Sequence, residues 1–238
     1  MKNSKDFFNH FVQARSTFIG DKLSIYTFRR LFESLNVKPS DKVLEIGAGH
    51  GDFAKICIEH GAKYWAIEPN EEMACSLEQQ GIKVIRCIIP PVPALTEKFD
   101  IVVMIDVMEH MDTMTGALDI AKSVYSLLEK NGKFLICSPD YQSFGKYFYL
   151  IDFSHNYITS YRRLHQLLVN AGFKTIFGYH YSGPFKGLLC FLISGLVHYL
   201  PFAWLSLAIR SSNGFLHKLF KAQIYFLRRV AIIGQKNE

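Results

Sequence analysis

The sequence predicts a doubly wound α/β sheet, mostly parallel, with helices on both faces, and three observations carry that expectation. Short apolar runs alternate with stretches of helical periodicity from about residue 40 to residue 178. One run, Ile101-Val102-Val103-Met104-Ile105, is apolar at every position, as suits a strand covered on both faces. Another, Val43-Leu44-Glu45-Ile46, leads directly into the glycine-rich turn Gly47-Ala48-Gly49-His50-Gly51. A turn of that kind at the carboxyl end of a strand is where an open α/β sheet takes a nucleotide-like ligand.

The elements follow in order. Apolar side chains at helical spacing over residues 6–36, among them Phe7, Phe11, Leu23, Leu31 and Leu35, predict two helices ahead of the sheet. Residues 43–46 form the first strand and 52–60 the helix after it. Residues 64–67 form the second strand and 70–80 its helix, with Asn70 as the N-cap that accepts from an exposed amide of the first turn. The third strand is expected over 83–88 and the fourth over 100–105. A helix over 118–129 stops at Asn131-Gly132, and the fifth strand covers 133–137. Residues 160–170 form a helix closed by Ala171-Gly172, 174–181 a sixth strand and 230–235 a seventh.

About fifty residues separate those last two strands, and they depart from a minimal sheet. Residues 187–209 are twenty-three in a row without Asp, Glu, Lys or Arg. The length would span a membrane. Pro201 splits the run, however, and pairing of the flanking strands requires the chain to return to the side it left. A helical hairpin resting in one leaflet is therefore expected, with a lid on the domain or a dimer face as the competing readings. The chain accordingly divides into N-terminal cap helices (1–40), a core (41–186), a hydrophobic and basic helical insertion (187–222) and the final strand region (223–238).

The 238 residues carry a net charge of +6. From Arg210 onward six basic residues face Glu238 alone, so five of those six net charges belong to the tail and the core is almost neutral. A basic tail interleaved with Phe215, Leu216, Leu219 and Phe220 suits an anionic lipid surface better than a solvated nucleic-acid groove. The five cysteines, at 57, 75, 87, 137 and 190, are odd in number and lack C-x-x-C spacing, which fits free thiols in a reducing compartment. No secretory leader is expected, because residues 1–6 open without an apolar run. A cytoplasmic location is expected, with peripheral contact on the inner face of a membrane through 187–222.

The chemistry begins at the glycines. Glu68 follows Gly47 by twenty-one residues, at the end of the second strand, where a carboxylate can accept from both hydroxyls of a ribose. A dinucleotide fingerprint would need Gly or Ala at 52. Asp52 stands there and opposes a pyrophosphate at the helix start. Nor is there an obvious Tyr-x-x-x-Lys pairing for hydride transfer. With Glu45 leading, the pattern E-x-G-x-G-x-G resembles motif I of the class I S-adenosylmethionine-dependent methyltransferases. The resemblance covers residues 40–178 and the last dozen residues. It implies a Rossmann-like seven-stranded sheet whose last strand runs antiparallel beside the sixth, and S-adenosylmethionine as cofactor. Glu45, Gly47, Ala48, Gly49 and Gly51 of motif I are implied at the cofactor, with Glu68 and Pro69 after the second strand. Ile105, Asp106 and Val107 follow the fourth strand and are implied at the methionine end. No acid follows the third strand, so apolar contact from Cys87 and Ile88 is expected at the adenine.

Asp106-Val107-Met108-Glu109-His110 is similar to the D-V-L-E-H stretch of ubiquinone-biosynthesis-type O-methyltransferases. Ser154-His155, followed by Leu164, Leu167-Leu168 and Ala171-Gly172-Phe173, resembles the T-H … A-G-F segment of the same group. That likeness implies acceptor-side roles for His155, His110 and Glu109, with His155 ahead of His110 as the base and Asp140 and Tyr141 as further polar candidates. A histidine suits base work near neutral pH. No metal is expected: Glu109 and His110 are too few ligands, and adjacent helical residues diverge. No nucleic acid is expected either, because Ile105-Asp106-Val107-Met108 does not match an N-P-P-Y-like tetrad. The resulting expectation is methyl transfer to a small-molecule, hydroxyl-bearing acceptor that is lipidic or membrane-associated. The alternative is a non-catalytic S-adenosylmethionine-binding subunit acting through its hydrophobic hairpin. Oligomeric state is left open.

Overall fold

The computed structural model describes residues 18–202, Leu205 and residues 214–237. Helix α1 (Phe18–Leu35) precedes the sheet. The first of the two helices expected there, and the second arm of the hairpin beyond Phe202, lie outside the described residues. The core then alternates: β1 (Lys42–Ile46), α2 (Asp52–Glu59), β2 (Lys63–Ile67), α3 (Glu71–Gln79), β3 (Lys83–Ile85), β4 (Phe99–Ile105), α4 (Met114–Leu127) and β5 (Leu128–Pro139). Two single-turn helices follow, α5 (Tyr141–Phe144) and α6 (Tyr147–Leu150), and then α7 (Tyr161–Asn170). The chain closes with β6 (Thr175–Ser182), β7 (Phe185–Lys186), α8 (Gly187–His198), α9 (Phe215–Phe226) and β8 (Arg229–Gln235).

The strand order is β3-β2-β1-β4-β5-β8-β6-β7. β1 pairs in parallel with both β2 and β4, and β8 slots antiparallel between β5 and β6. Eight strands replace the expected seven, because Gly183 and Pro184 turn the chain back and add the two-residue β7 to the end of β6. Alternate residues of the central strands feed two apolar layers. Leu44, Val102, Met104, Phe134 and Ile136 pack on one face; Val43, Ile101, Val103 and Leu135 pack on the other. Both clusters are closed to solvent, which explains why β4 has no polar alternation between Ile101 and Met104.

Local boundaries follow from partners. Asn70 caps α3 as expected, its side chain accepting from the Met73 amide at 3.0 Å. β3 stops at Ile85 and not at Ile88, because its partner β2 ends at Ile67, opposite Ile85. The helix expected to reach Glu129 ends at Leu127. Leu128 is buried and pairs with Phe99, so it joins the sheet. Asn131 takes a left-handed conformation (φ 63°) and its amide donates to the Lys236 carbonyl, tying that turn to the end of β8.

Strand order reverses between β1 and β4. Their carboxyl ends therefore splay, and the chain leaves them in opposite directions. The resulting crevice is the place where an open α/β sheet binds its ligand.

Candidate functional site

A cavity of about 380 Å³ fills that crevice. The loop after β1 supplies Gly47, Gly49 and His50; the end of β2 supplies Ile67, Glu68 and Pro69; the end of β4 supplies Asp106 and Val107. Ile46, Met73, Cys87, Ile89, His110 and Met111 complete the wall.

The glycine turn is required by space as well as by dihedral angle. Gly47 sits at φ +79°, and a Cβ there would lie 2.5 Å from Val107 Cγ2. Gly51 sits at φ +78°, where a Cβ would meet Leu77 Cδ2 at 2.6 Å, and it serves as the N-cap of α2. With those two positions pinned, the loop lies flat over the strand end, and a Cβ on Gly49 would have no protein neighbour within 4 Å.

Glu68 is the charged centre of the cavity. It is buried; its Oε2 accepts from the Gly49 amide and its Oε1 from the Asn70 amide, both at 2.9 Å. Burial raises its pKa, against the lowering pull of those amides and of His50. Each carboxylate oxygen has a second lone pair, so a pair of vicinal hydroxyls can still be accepted. Ile67, Pro69, Met73, Cys87 and Ile89 form an apolar slot beside it, suited to a flat heteroaromatic ring. This donor set fits a nucleoside, and the open space over Gly49 leaves room for a polar amino-acid end.

On the far side of Asp106 lies a buried polar cluster. Met108–His110 forms one 3-10 turn. The Glu109 carbonyl accepts from the Asn156 and Tyr157 amides, both at 2.9 Å, which pins the 154–157 loop against the turn. His110 and His155 consequently face each other, with ring centroids 4.8 Å apart. His155 Nδ1 lies 2.6 Å from the Phe148 carbonyl, an acceptor only, so Nδ1 carries the proton and Nε2 is the basic nitrogen. Ser154 donates its hydroxyl to Asp152 at 2.5 Å and thus accepts from His110 Nδ1 at 2.8 Å, which sets the same tautomer in His110. Burial disfavours the Asp152 carboxylate, but the Ser154 hydrogen bonds and the nearby imidazoles outweigh it and hold its pKa below the usual range. Burial, with help from the Asp106 charge, pushes Glu109 up to about 7, while His155 and Ser138 pull the other way.

The structure re-sorts several expected residues. Gly47, Gly49, Glu68, Pro69, Cys87, Asp106 and Val107 stand on the cavity wall. Ile88 does not: β3 ends early, and Ile89 takes the wall position. Glu45 faces the α2 layer, where Tyr64 donates a short hydrogen bond to it and burial pushes it up to about 8. Ala48 and Gly51 shape the loop without lining the cavity, and Ile105 lines a second, neighbouring one. His110 reaches the wall, whereas His155, expected to lead, lies behind it. Asp140 is buried and ion-paired to Arg228 at 2.7 Å, a structural role that the sequence pattern did not separate from a polar acceptor contact. The expected divergence of Glu109 and His110 fails, because a 3-10 turn replaces the helix start and His155 joins from another loop. Donor atoms of Glu109, His110 and His155 all lie within 4.8 Å of one another. Ile46, His50, Ile67, Met73, Ile89 and Met111 were missed; Met73, on the first turn after Glu68, was the most legible of them.

The methyltransferase-domain family model matches residues 21–176. No curated protein matches the chain in sequence. Among solved structures the chain is similar to an S-adenosylmethionine-dependent methyltransferase from Archaeoglobus fulgidus, at 20% identity and TM-score 0.64, covering 97% of this chain and 100% of that one. It is similar to phosphoethanolamine N-methyltransferase 2 of Haemonchus contortus, solved with S-adenosylmethionine, at 14% identity and TM-score 0.66; 98% of this chain is covered and 60% of that one. It is also similar to the chain solved with the Trm112 methyltransferase activator of Haloferax volcanii, at 9% identity and TM-score 0.69 over the whole of both. At these identities the structural likeness is one of fold.

Proposed function

The chain belongs to the methyltransferase-domain family, and from that premise we propose that it transfers a methyl group from S-adenosylmethionine to a small, hydroxyl-bearing acceptor that is lipidic or membrane-associated. The observation that carries the reading is Glu68, a buried carboxylate with spare lone pairs beside an apolar slot and a bare glycine loop. S-adenosylmethionine supplies an electrophilic methyl group when bound. Glu68 would hold the ribose, the slot of Cys87 and Ile89 the adenine, and the Gly47–Gly49 loop with Asp106 the amino-acid end.

Acceptor activation falls to His110. Its Nδ1 proton is committed to Ser154, so its Nε2 can take a proton from a hydroxyl at the cavity wall. His155, Ser154 and Asp152 orient it, and Glu109 stabilises positive charge that forms on either imidazole. This base is what favours a hydroxyl acceptor over one that needs only proximity and alignment. Titration calorimetry of the whole chain with S-adenosylhomocysteine tests the donor half of the reading. Micromolar binding is expected, and a folded protein that releases no heat would overturn it.

The membrane half rests on α8. Leu188, Leu192, Leu196 and Tyr199 repeat on one helical face and are 76, 54, 74 and 85% exposed. Cys190 and Ser194 point inward, and the outward apolar face is left largely uncovered by the described residues. Phe215, Lys218 and Lys221 are exposed on α9, which packs beside α8. No helix among the described residues is long and apolar enough to cross a membrane, so the face would lie along a surface. The wild type is expected to co-sediment with vesicles rich in phosphatidylglycerol. A Leu188→Glu/Leu192→Glu double variant should lose that binding with its melting temperature unchanged. Absence of vesicle binding by the wild type would eliminate membrane contact.

A further inference from the structure

A second cavity, of about 130 Å³, opens between α1, the end of β6, α9 and the start of β8. Asp106 stands on the walls of both cavities, so a molecule lodged in the second ends beside the first. We infer that this crevice binds an oxyanion, a phosphate or carboxylate, carried by the methyl acceptor. The inference rests on the methyl-transfer reading for the identity of the molecule, but not for the existence of the anion site.

The walls carry the hydroxyls of Ser24, Thr27 and Tyr225, the apolar bodies of Phe28 and Tyr181, and one cation, Arg229. Arg229 forms a short ion pair with Asp106. Burial works against the Arg229 charge, and the Asp106 carboxylate more than compensates. That pair is internally neutral. Behind it stands a cation that is not neutralised.

Arg30, on α1, is 5% exposed. Its Nη1 donates to the Gly183 carbonyl at 3.1 Å, and its guanidinium lies 5.4 Å from the Tyr181 ring centre; Gly183 and Tyr181 are both part of the crevice wall. The Tyr26 ring centre lies 4.9 Å from the same group. Nη2 is buried and has no hydrogen-bond partner, and Arg30 makes no ion pair among the described residues. A guanidinium stays charged at any pH a protein survives. Burying one with an unpaired N–H edge is strongly unfavourable unless an anion completes it.

The surroundings add to the positive field. Lys186 is the register partner of Tyr181, so it projects from the same sheet face, and its ammonium lies 4.6 Å from the Tyr179 ring centre. Burial and then Arg30 itself depress the Lys186 pKa, with Glu33 and Tyr26 partly offsetting them. Glu33 is exposed and makes no ion pair with either cation. The Tyr179 hydroxyl is buried on that face with Ser34 as its nearest polar partner, so it adds no free donor. Two cations, Arg30 and Lys186, stand directly behind the Tyr181–Gly183 wall of a crevice rimmed by hydroxyls, and that combination matches the chemistry of a phosphate or carboxylate.

The bland reading is that Arg30 only braces the Gly183 turn. Calorimetric titrations of the whole chain with inorganic phosphate, n-butyl phosphate and butanoate separate the two, each run with and without saturating S-adenosylhomocysteine. The wild type should bind n-butyl phosphate or butanoate, and the butyl phosphate more tightly than inorganic phosphate, because the apolar wall covers the chain. Arg30→Gln should weaken the oxyanion at least about tenfold, as loss of a charge-assisted pair does. Its affinity for S-adenosylhomocysteine should not change. Arg30→Lys keeps the charge but loses the planar fork, and should weaken binding by about threefold; it carries the test if the Gln variant fails to fold. Wild-type protein that binds none of the three anions overturns the site, as does an Arg30→Gln variant that binds them undiminished. Equal affinity for inorganic and butyl phosphate overturns the assignment to an acceptor-borne group. Loss of S-adenosylhomocysteine binding alone, with anion binding intact, sinks the donor reading and leaves the anion site standing.

Discussion

Glu68→Ala should abolish practical binding of S-adenosylhomocysteine. A hydrogen bond to a charged acceptor contributes about 1.5–3 kcal/mol, and a ribose would make two of them, so the expected weakening is at least about a hundredfold. The substitution also removes the acceptor of the Gly49 and Asn70 amides, so part of the loss comes from a loosened loop. Glu68→Gln separates the two contributions. Its amide oxygen can still accept from one backbone N–H, although its NH2 then faces the other, so the loop and the melting temperature should be held better than in the alanine variant while affinity stays well below wild type. The pH dependence has a definite sign. Burial raises the Glu68 pKa, so on acidification the carboxyl gains its proton at a higher pH than an ordinary glutamate would. A protonated carboxyl loses acceptor capacity, so affinity should fall as pH drops through that raised value and should recover above it. Calorimetry across pH 4.5 to 8 reads both effects. An alanine variant that binds like the wild type would show that the cavity holds its ligand by other means.

Glu68 was legible in the sequence because its position is fixed by counting. A strand must end, a helix must start, and the carboxylate falls between them whatever the rest of the chain does. The same holds for Gly47, whose neighbour Val107 comes from the adjacent strand end that the apolar run at 101–105 marks. Ile88 was misplaced for the opposite reason. An edge strand is only as long as its partner, and β2 ends opposite Ile85, which no local pattern in 83–91 records. The Glu109–His110–His155 convergence was invisible because it depends on a 3-10 turn and on two amides, from Asn156 and Tyr157, reaching the Glu109 carbonyl across 47 and 48 residues of chain. Asp140 looked like an acceptor residue because burial and ion pairing with Arg228, 88 residues away, leave no trace in composition. What was legible, then, is what periodicity and strand ends determine. What was not is set by long-range partners.

His110→Gln should lower kcat/KM by about 10²- to 10⁴-fold, the range attributed to a positioned base, with affinity for S-adenosylhomocysteine retained. Glutamine can mimic the hydrogen bond to Ser154 but cannot take a proton near neutral pH. His155→Gln should cost less, about tenfold on the scale of an orienting neighbour, because His155 lies behind His110 and off the cavity wall. Ser154→Ala should behave like His155→Gln, since it frees the tautomer without removing the imidazole. The acid limb of the pH profile gives a readout that a purely structural role would not move. Glu109 sits at about 7 because burial and Asp106 oppose its ionisation, and it faces His155 in the same cluster. The Glu109 carboxyl takes up its proton near that pH, so the wild-type rate should fall on the acid side as the negative charge beside the histidines is lost. Glu109→Gln removes one carboxylate from the set. It should shift that limb to lower pH, because the buried carboxyl whose raised pKa places the limb near neutrality is gone. A profile unchanged by Glu109→Gln, together with full activity in His110→Gln, would leave methyl transfer dependent on alignment alone and would reopen acceptors that need no base.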